Sequence, residues 1–205
     1  FPTRRSSDLF LALQSPYVYL AGRRPAEIAA RHGVELEYRP LDPAALFGRT
    51  GGKVRAERHP SRNAYATEDR IRQAKKLGLK LDPEPMFRGA NAAPAAYALI
   101  AAQAEAKASG GGDLAGYVVA ISRAMWAEGK DISDDAVIGD ALAVNGFDPK
   151  VADRGMLMAA EAYGANLEDA VSQGVFGVPF FVTGDAHFWG QDRLDDLDLH
   201  LAGKL

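Results

Sequence analysis

Apolar residues follow two rhythms along this chain, a two-residue alternation near both ends and a helical spacing between them. Phe10-Leu-Ala-Leu13 is a short apolar run that stops at Gln14-Ser15-Pro16. It predicts a strand running into a helix, with Ser15 at the cap and Pro16 at the first helical position. From Pro16 to about His32 the apolar positions Tyr17, Leu20, Ala21, Ile28 and Ala29 keep helical spacing despite Pro25, and Gly33 suits the stop. Val34 to Tyr38 then alternates as a strand does. Pro40 and Pro43 close this β-α-β unit.

The middle of the chain changes character. A glycine-bearing loop at Thr50-Gly51-Gly52 precedes Ala64 to Leu77, whose spacing and Gly78 terminus predict a helix. Ala92 to Ala108 is alanine-rich, which favours helix by intrinsic propensity, and ends in Ser109-Gly110-Gly111-Gly112. Leu114 to Glu128 supplies another helix. Ser133, followed by Asp134 and Asp135, caps the next, and Gly146 ends it. Asp148-Pro149 opens one more, running to about Tyr163. No repeat period links these helices, and residues 43–165 read as an all-helical insertion domain.

After Asn166 a short helix to Gln173 leads into Val175-Phe-Gly-Val-Pro-Phe-Phe-Val-Thr183, a strand-forming segment rich in β-branched and aromatic residues. Gly184-Asp185 marks a hairpin turn, His187 to Trp189 the returning strand, and Asp192 to Leu201 a closing helix. The order β-α-β, helices, β-β-α predicts an α/β chain: a thioredoxin-like fold with an inserted all-helical domain, its scaffold formed by residues 10–42 and 166–205.

Composition narrows the function classes. A net charge of -3, with 24 basic and 27 acidic residues, supplies no footprint for nucleic acid or an anionic membrane surface. No apolar stretch is long enough for a membrane span. The absence of cysteine removes disulfides, zinc-thiolate sites and dithiol redox chemistry of the chain's own. His32, His59, His187 and His200 have no ligand spacing, so no metal site is expected. Gly110-Gly111-Gly112 follows no strand and reads as a linker. The first nine residues, FPTRRSSDL, resemble a translated sequencing adapter and are set aside as a non-native segment. On that reading the native N-terminus, with any targeting signal it carried, is missing.

Three segments carry a resemblance. Ser15-Pro16-Tyr17 is similar to the S-P-Y segment of kappa-class glutathione transferases and 2-hydroxychromene-2-carboxylate isomerases, at the place where DsbA-like oxidases carry C-x-x-C. Gly174-Val-Phe-Gly-Val178-Pro179-Phe-Phe resembles the G-V-P-x-F strand whose proline is cis in thioredoxin-like proteins. Phe188-Trp189-Gly190-Gln191-Asp192-Arg193 is similar to the family's F-x-G-x-D-R. Together they span nearly the whole chain past residue 9.

The resemblance implies a site for glutathione. Its thiol has a pKa near 8.5 while the thiolate is the nucleophile, so the protein must favour the anion. Ser15, at a helix N-terminus with unpaired backbone N–H groups, would donate one more hydrogen bond to the sulfur; its competing role is that of a plain helix cap. Val178 and the cis Pro179 would present backbone groups to an extended peptide. Gln191 and Asp192 would hold the γ-glutamyl end, Asp192 being otherwise an N-cap. Arg62, three places before Tyr65, would hold the glycyl carboxylate, or else serve as a solvated surface charge. Two positions depart from the pattern: Gly52 stands where the family has Asn, and Ala12 where it has Asp. Met86, Phe87, Met125 and Trp126 read as core residues, although an aromatic substrate would need such a wall.

The function implied is isomerisation of a 2-hydroxychromene-2-carboxylate or a benzylidenepyruvate-type partner, in which glutathione adds to a double bond and leaves again. A kappa-like transferase and a non-catalytic thioredoxin-like binding domain are the alternatives. A cytoplasmic enzyme with a small aromatic substrate is expected; the oligomeric state, homodimer included, stays open.

Overall fold

The computed structural model describes residues 6–205. Its sheet has the order β2-β1-β3-β4. The central strand β1 (Ser6–Leu11) runs parallel to β2 (Glu35–Pro40) and antiparallel to β3 (Phe180–Thr183), which forms a hairpin with β4 (Ala186–Trp189). Around it lie α1 (Pro16–Ala21), α2 (Arg24–Arg31), α3 (Pro43–Thr50), α4 (Pro60–Leu77), α5 (Ala93–Ser109), α6 (Leu114–Trp126), α7 (Asp135–Val144), α8 (Val151–Ser172) and α9 (Leu194–Leu201), with one 3-10 turn at Arg55–Glu57. Among the described residues, no helix is long and apolar enough to cross a membrane.

Several elements depart from the sequence reading, each for a local reason. β1 begins four residues early, so Ser6 to Leu9, set aside with the N-terminal segment, belong to the sheet; residues 1–5 lie outside the described residues. The helix expected from Pro16 to His32 is two. Gly22 turns the backbone left-handed at φ 59°, and Pro25 sits in the first turn of α2, where its missing N–H is no loss. The stretch closed by Pro40 and Pro43 contains α3, because the Asp42 carboxylate accepts the Ala44 N–H at 2.8 Å and Pro43 opens the helix. Asp134, not Ser133, caps α7; the Ser133 hydroxyl donates to Asp131 at 2.6 Å instead. The helices expected before and after Asn166 are the single α8, whose buried Asn166 donates to the Pro40 carbonyl at 3.0 Å. The helix therefore runs unbroken across residues 165 and 166.

Two apolar layers sandwich the sheet, as the alternation along β1 requires. Leu9, Leu11 and Phe181 face a large cluster with Leu99 of α5, Tyr117, Ile121 and Met125 of α6 and Leu197 of α9. Helices of the middle stretch and strands of the scaffold thus share one core. Phe10, Phe180 and Val182 face a smaller cluster with Leu46 of α3 and Ala170 of α8. Each fully buried Leu or Phe contributes about 1.5–3 kcal/mol, against about 0–1 kcal/mol for an exposed ion pair such as Arg49–Glu168. Apolar layering therefore sets the fold. At the outer edge of β2, Gln103 of α5 mimics a missing strand: its carbonyl accepts the Tyr38 N–H at 2.8 Å and its amide donates to the Tyr38 carbonyl at 3.1 Å.

Candidate active site

The turn from β1 into α1 is fixed from both sides. The Ser15 N–H donates to the Ala12 carbonyl at 2.8 Å, and the Ser15 carbonyl accepts from Tyr19 at 3.2 Å. Ser15 has the extended backbone of a cap, φ -74° and ψ 126°, yet its hydroxyl makes no capping hydrogen bond. The side chain stands half-buried with its hydroxyl unengaged by the helix. Pro16 has no N–H to offer, leaving those of Tyr17 and Val18 as the free donors of the first turn.

Side chains from other layers hold this turn. Trp126, fully buried at the end of α6, donates Nε1–H to the Gln14 carbonyl at 3.2 Å. The guanidiniums of Arg70 and Arg88 lie 5.7 and 5.6 Å from its ring. The Tyr17 hydroxyl donates to Asp69 of α4 at 3.3 Å. Burial and the Asp69 charge push its pKa up against the opposing pull of Arg70 and Arg58, so it remains a protonated donor at neutral pH.

The second wall comes from β3 and the start of α9. The Val178–Pro179 bond is cis. Pro179 lines a small apolar void together with Val18 of α1, which seats it beside the helix that Ser15 starts. Among the described residues, neither the N–H nor the carbonyl of Val178 enters a backbone hydrogen bond. Gly190 donates its N–H to the Pro179 carbonyl at 2.9 Å and so delivers Gln191 next to the proline. Gln191 is buried, its side-chain carbonyl held by Arg24 at 2.8 Å. Asp192 does not begin the last helix: α9 starts at Leu194 with Arg193 as its cap residue. Its carboxylate is exposed and, among the described residues, paired only with Arg193 at 3.1 Å. Gln191 and Asp192 border a pocket of about 90 Å³ with Arg24, Gln73, Lys76 and Asp195.

Arg62 stands apart from these residues, exposed in the first turns of α4 with no side-chain partner among the described residues. It shares a helix face with Asp69 two turns on, about 10 Å along the axis. The departure at Gly52 has a packing cause. A Cβ there would lie 2.6 Å from Cδ1 of Phe47, so an asparagine needs that ring to move. Ala12 is buried, where an unpaired carboxylate would be costly. Met125 and Trp126 are core as expected, whereas Met86 and Phe87 are exposed, Met86 at 85%. Two histidines have local duties: His32 pairs with Asp198 at 2.6 Å, and His59 caps α4.

Arg24, Asp69, Arg70 and Gln73 were not legible as site residues. The contacts that bring them to the site lie far away in sequence, Arg24 and Gln191 being 167 positions apart and Asp69 and Tyr17 52, and no local pattern marks such a pair.

The family model of the DSBA-like thioredoxin domain matches residues 8–202. A 2-hydroxychromene-2-carboxylate isomerase of Sphingobium xenophagum is 28% identical over 210 residues, covering 96% of this chain and 98% of its own. A solved 2-hydroxychromene-2-carboxylate isomerase superposes with a TM-score of 0.76 at 24% identity, covering 97% of this chain and 95% of that one. The cytosolic disulfide reductase DsbM of Pseudomonas aeruginosa, solved with GSH, gives a TM-score of 0.65 at 18% identity, with 97% and 98% covered.

Proposed function

The chain belongs to the DSBA-like thioredoxin domain family, and from that premise we propose that it is a glutathione-dependent isomerase of the 2-hydroxychromene-2-carboxylate type, acting in the cytoplasm on a small aromatic substrate. The observation that carries the reading is the Ser15 hydroxyl, placed at a helix start without capping it, in a chain with no cysteine. Where dithiol members of such a fold activate their own sulfur, this turn is left to act on a sulfur brought by a ligand.

The residues present fit glutathione at three points. Ser15 donates to the sulfur and favours its anion. Val178 offers an unpaired backbone N–H and carbonyl to the peptide's main chain. Asp192 faces the α-amino group of the γ-glutamyl end, and its exposed pairing with Arg193 is weak enough to exchange. The Gln191 amide NH₂ remains available because Arg24 takes only the carbonyl side. Arg62, exposed on α4, would hold the glycyl carboxylate. Gly52 adds nothing, which lowers affinity without altering the chemistry. Glutathione, when bound, supplies a thiol that adds to the substrate's activated double bond and leaves once the resulting single bond has rotated. The reading is supported further by the names of the relatives and by the GSH present in a structural neighbour.

The test is Ser15→Ala, assayed for glutathione-dependent isomerisation of a 2-hydroxychromene-2-carboxylate. One lost hydrogen bond to a charged group is about 1.5–3 kcal/mol, hence a rate lower by about one to two orders of magnitude. The apparent pKa of the bound thiol should rise while retention on immobilised glutathione persists. Equal rates and equal apparent pKa in both proteins would refute the role of Ser15, and a parent protein that ignores glutathione would refute the reading as a whole.

A further inference from the structure

One carboxylate in the stretch after α4 carries an excess of cations. Glu84 takes Arg55 in a two-pronged pair, both contacts 3.0 Å, and Arg88 at 2.7 Å, with Arg70 at 3.9 Å. A fourth guanidinium, Arg58, donates to the Lys53 carbonyl at 2.7 Å and lies 5.7 Å from the Phe47 ring, with no carboxylate in salt-bridge range among the described residues. Arg70 is 4% exposed, and its Nε is buried without a hydrogen-bond partner. Its cation is disfavoured first by that burial, with Tyr17 and the Glu84 charge compensating in part and Arg55 and Arg58 adding smaller opposing pushes. A protein surface rarely leaves a buried guanidinium nitrogen unpaired, because the desolvation of a charged donor is expensive.

The cluster is tied to the reactive turn by one ring. Arg70 and Arg88 flank Trp126, whose indole holds the Gln14 carbonyl beside Ser15. Met86 and Phe87 lie within the same Pro85–Arg88 turn, closed by the Arg88 N–H on the Pro85 carbonyl at 3.1 Å, and present apolar surface that nothing covers. Guanidiniums, an apolar shelf and the reactive turn thus adjoin one another. We propose that this arginine cluster is the subsite for the carboxylate of an aromatic acid, whose ring rests on Met86 and Phe87. Glu84, half-exposed, is a resident stand-in that an incoming carboxylate joins or displaces. The assignment of the ligand as the isomerase's substrate rests on the reading above; the anion site itself does not.

The experiment is calorimetric titration of the full chain, without glutathione, with benzoate and with neutral benzamide. The parent should bind benzoate at least about tenfold more tightly than benzamide, the scale of one charge-assisted hydrogen bond. Arg58→Gln should weaken benzoate about tenfold. Glu84→Gln should tighten it several-fold by freeing three guanidiniums, a sign that a purely structural role for Glu84 does not produce. Benzamide should bind all three proteins alike. Benzoate no tighter than benzamide, or a Glu84→Gln protein that binds benzoate no better than the parent, overturns the proposal. Because glutathione takes no part in the titration, failure of the isomerase reading leaves the benzoate result intact.

Discussion

Trp126 at the end of α6 donates Nε1–H to the carbonyl oxygen of Gln14 at 3.2 Å, so a side chain of the helical layer fixes the residue that precedes Ser15. Trp126→Phe keeps a ring between Arg70 and Arg88 but strands the Gln14 carbonyl. We expect a stability loss of about 1–3 kcal/mol and a glutathione-dependent rate about tenfold lower, with retention on glutathione unchanged. Melting curves and the pH profile of the rate check this. A lower melting temperature with an unaltered profile would make Trp126 a structural residue alone.

Gly52 is held by Phe47, not by backbone geometry. Gly52→Asn restores the family's amide yet puts its Cβ 2.6 Å from the Phe47 ring, so the single variant should lose stability by about 1–3 kcal/mol through overpacking. Combined with Phe47→Ala, the same asparagine should raise glutathione affinity above that of Phe47→Ala alone. The two substitutions touch one another, so a double-mutant cycle should show coupling of about 0.5 kcal/mol or more. Strict additivity would contradict the contact.

Arg24 positions Gln191 from the far side of α2, bonding its side-chain carbonyl at 2.8 Å and, in the same reach, the Leu20 carbonyl at 3.0 Å. Arg24→Met keeps the aliphatic stem and removes these bonds, together with those to the Ala21 carbonyl at 3.3 Å and the Gln191 main-chain carbonyl at 3.4 Å. The expected outcome is a higher KM for glutathione with little change in kcat, because Gln191 lies at the end of the peptide remote from sulfur. A fall confined to kcat would place Gln191 elsewhere in the reaction.

Acid should act through the start of α6. Asp113 caps that helix through the Gly116 N–H at 2.9 Å and pairs with Arg23 at 2.8 Å. Partial burial works against its charged form, but the bonds from Arg23 and Gly116 outweigh it and hold the pKa below the ordinary value. A carboxylate whose pKa is depressed on folding lends stability above its unfolded pKa of about 3.9, and that stability is lost as pH falls through the lower folded value. The melting temperature of the parent should therefore drop more steeply below about pH 4 than that of Asp113→Asn, the two curves converging at the acid end. Parallel curves would place the acid sensitivity in other groups.

The apolar run at Phe10–Leu13, the β-branched and aromatic segment at Phe180–Thr183, alternation at Val34–Tyr38, helical spacing with Gly78 as a stop, and the absence of cysteine are local properties, and each was legible in the sequence. So were the three segments at Ser15, Pro179 and Asp192, because their residues are contiguous. Where the sequence misled, two local signals competed. Pro25 and Pro43 each read as helix-compatible or helix-ending, and only Gly22's left-handed backbone and the Asp42 cap decided between them. Asn166 read as a break until tertiary packing paired its amide with the Pro40 carbonyl, 126 positions away. The same holds for function. Sequence placed Ser15 at a helix start, but which side chain holds Gln14 and which guanidiniums crowd around Glu84 are set by contacts between distant segments. Spacing along a chain encodes which face a residue occupies; it carries no information on which other face arrives opposite, and that pairing appears only once the layers have packed.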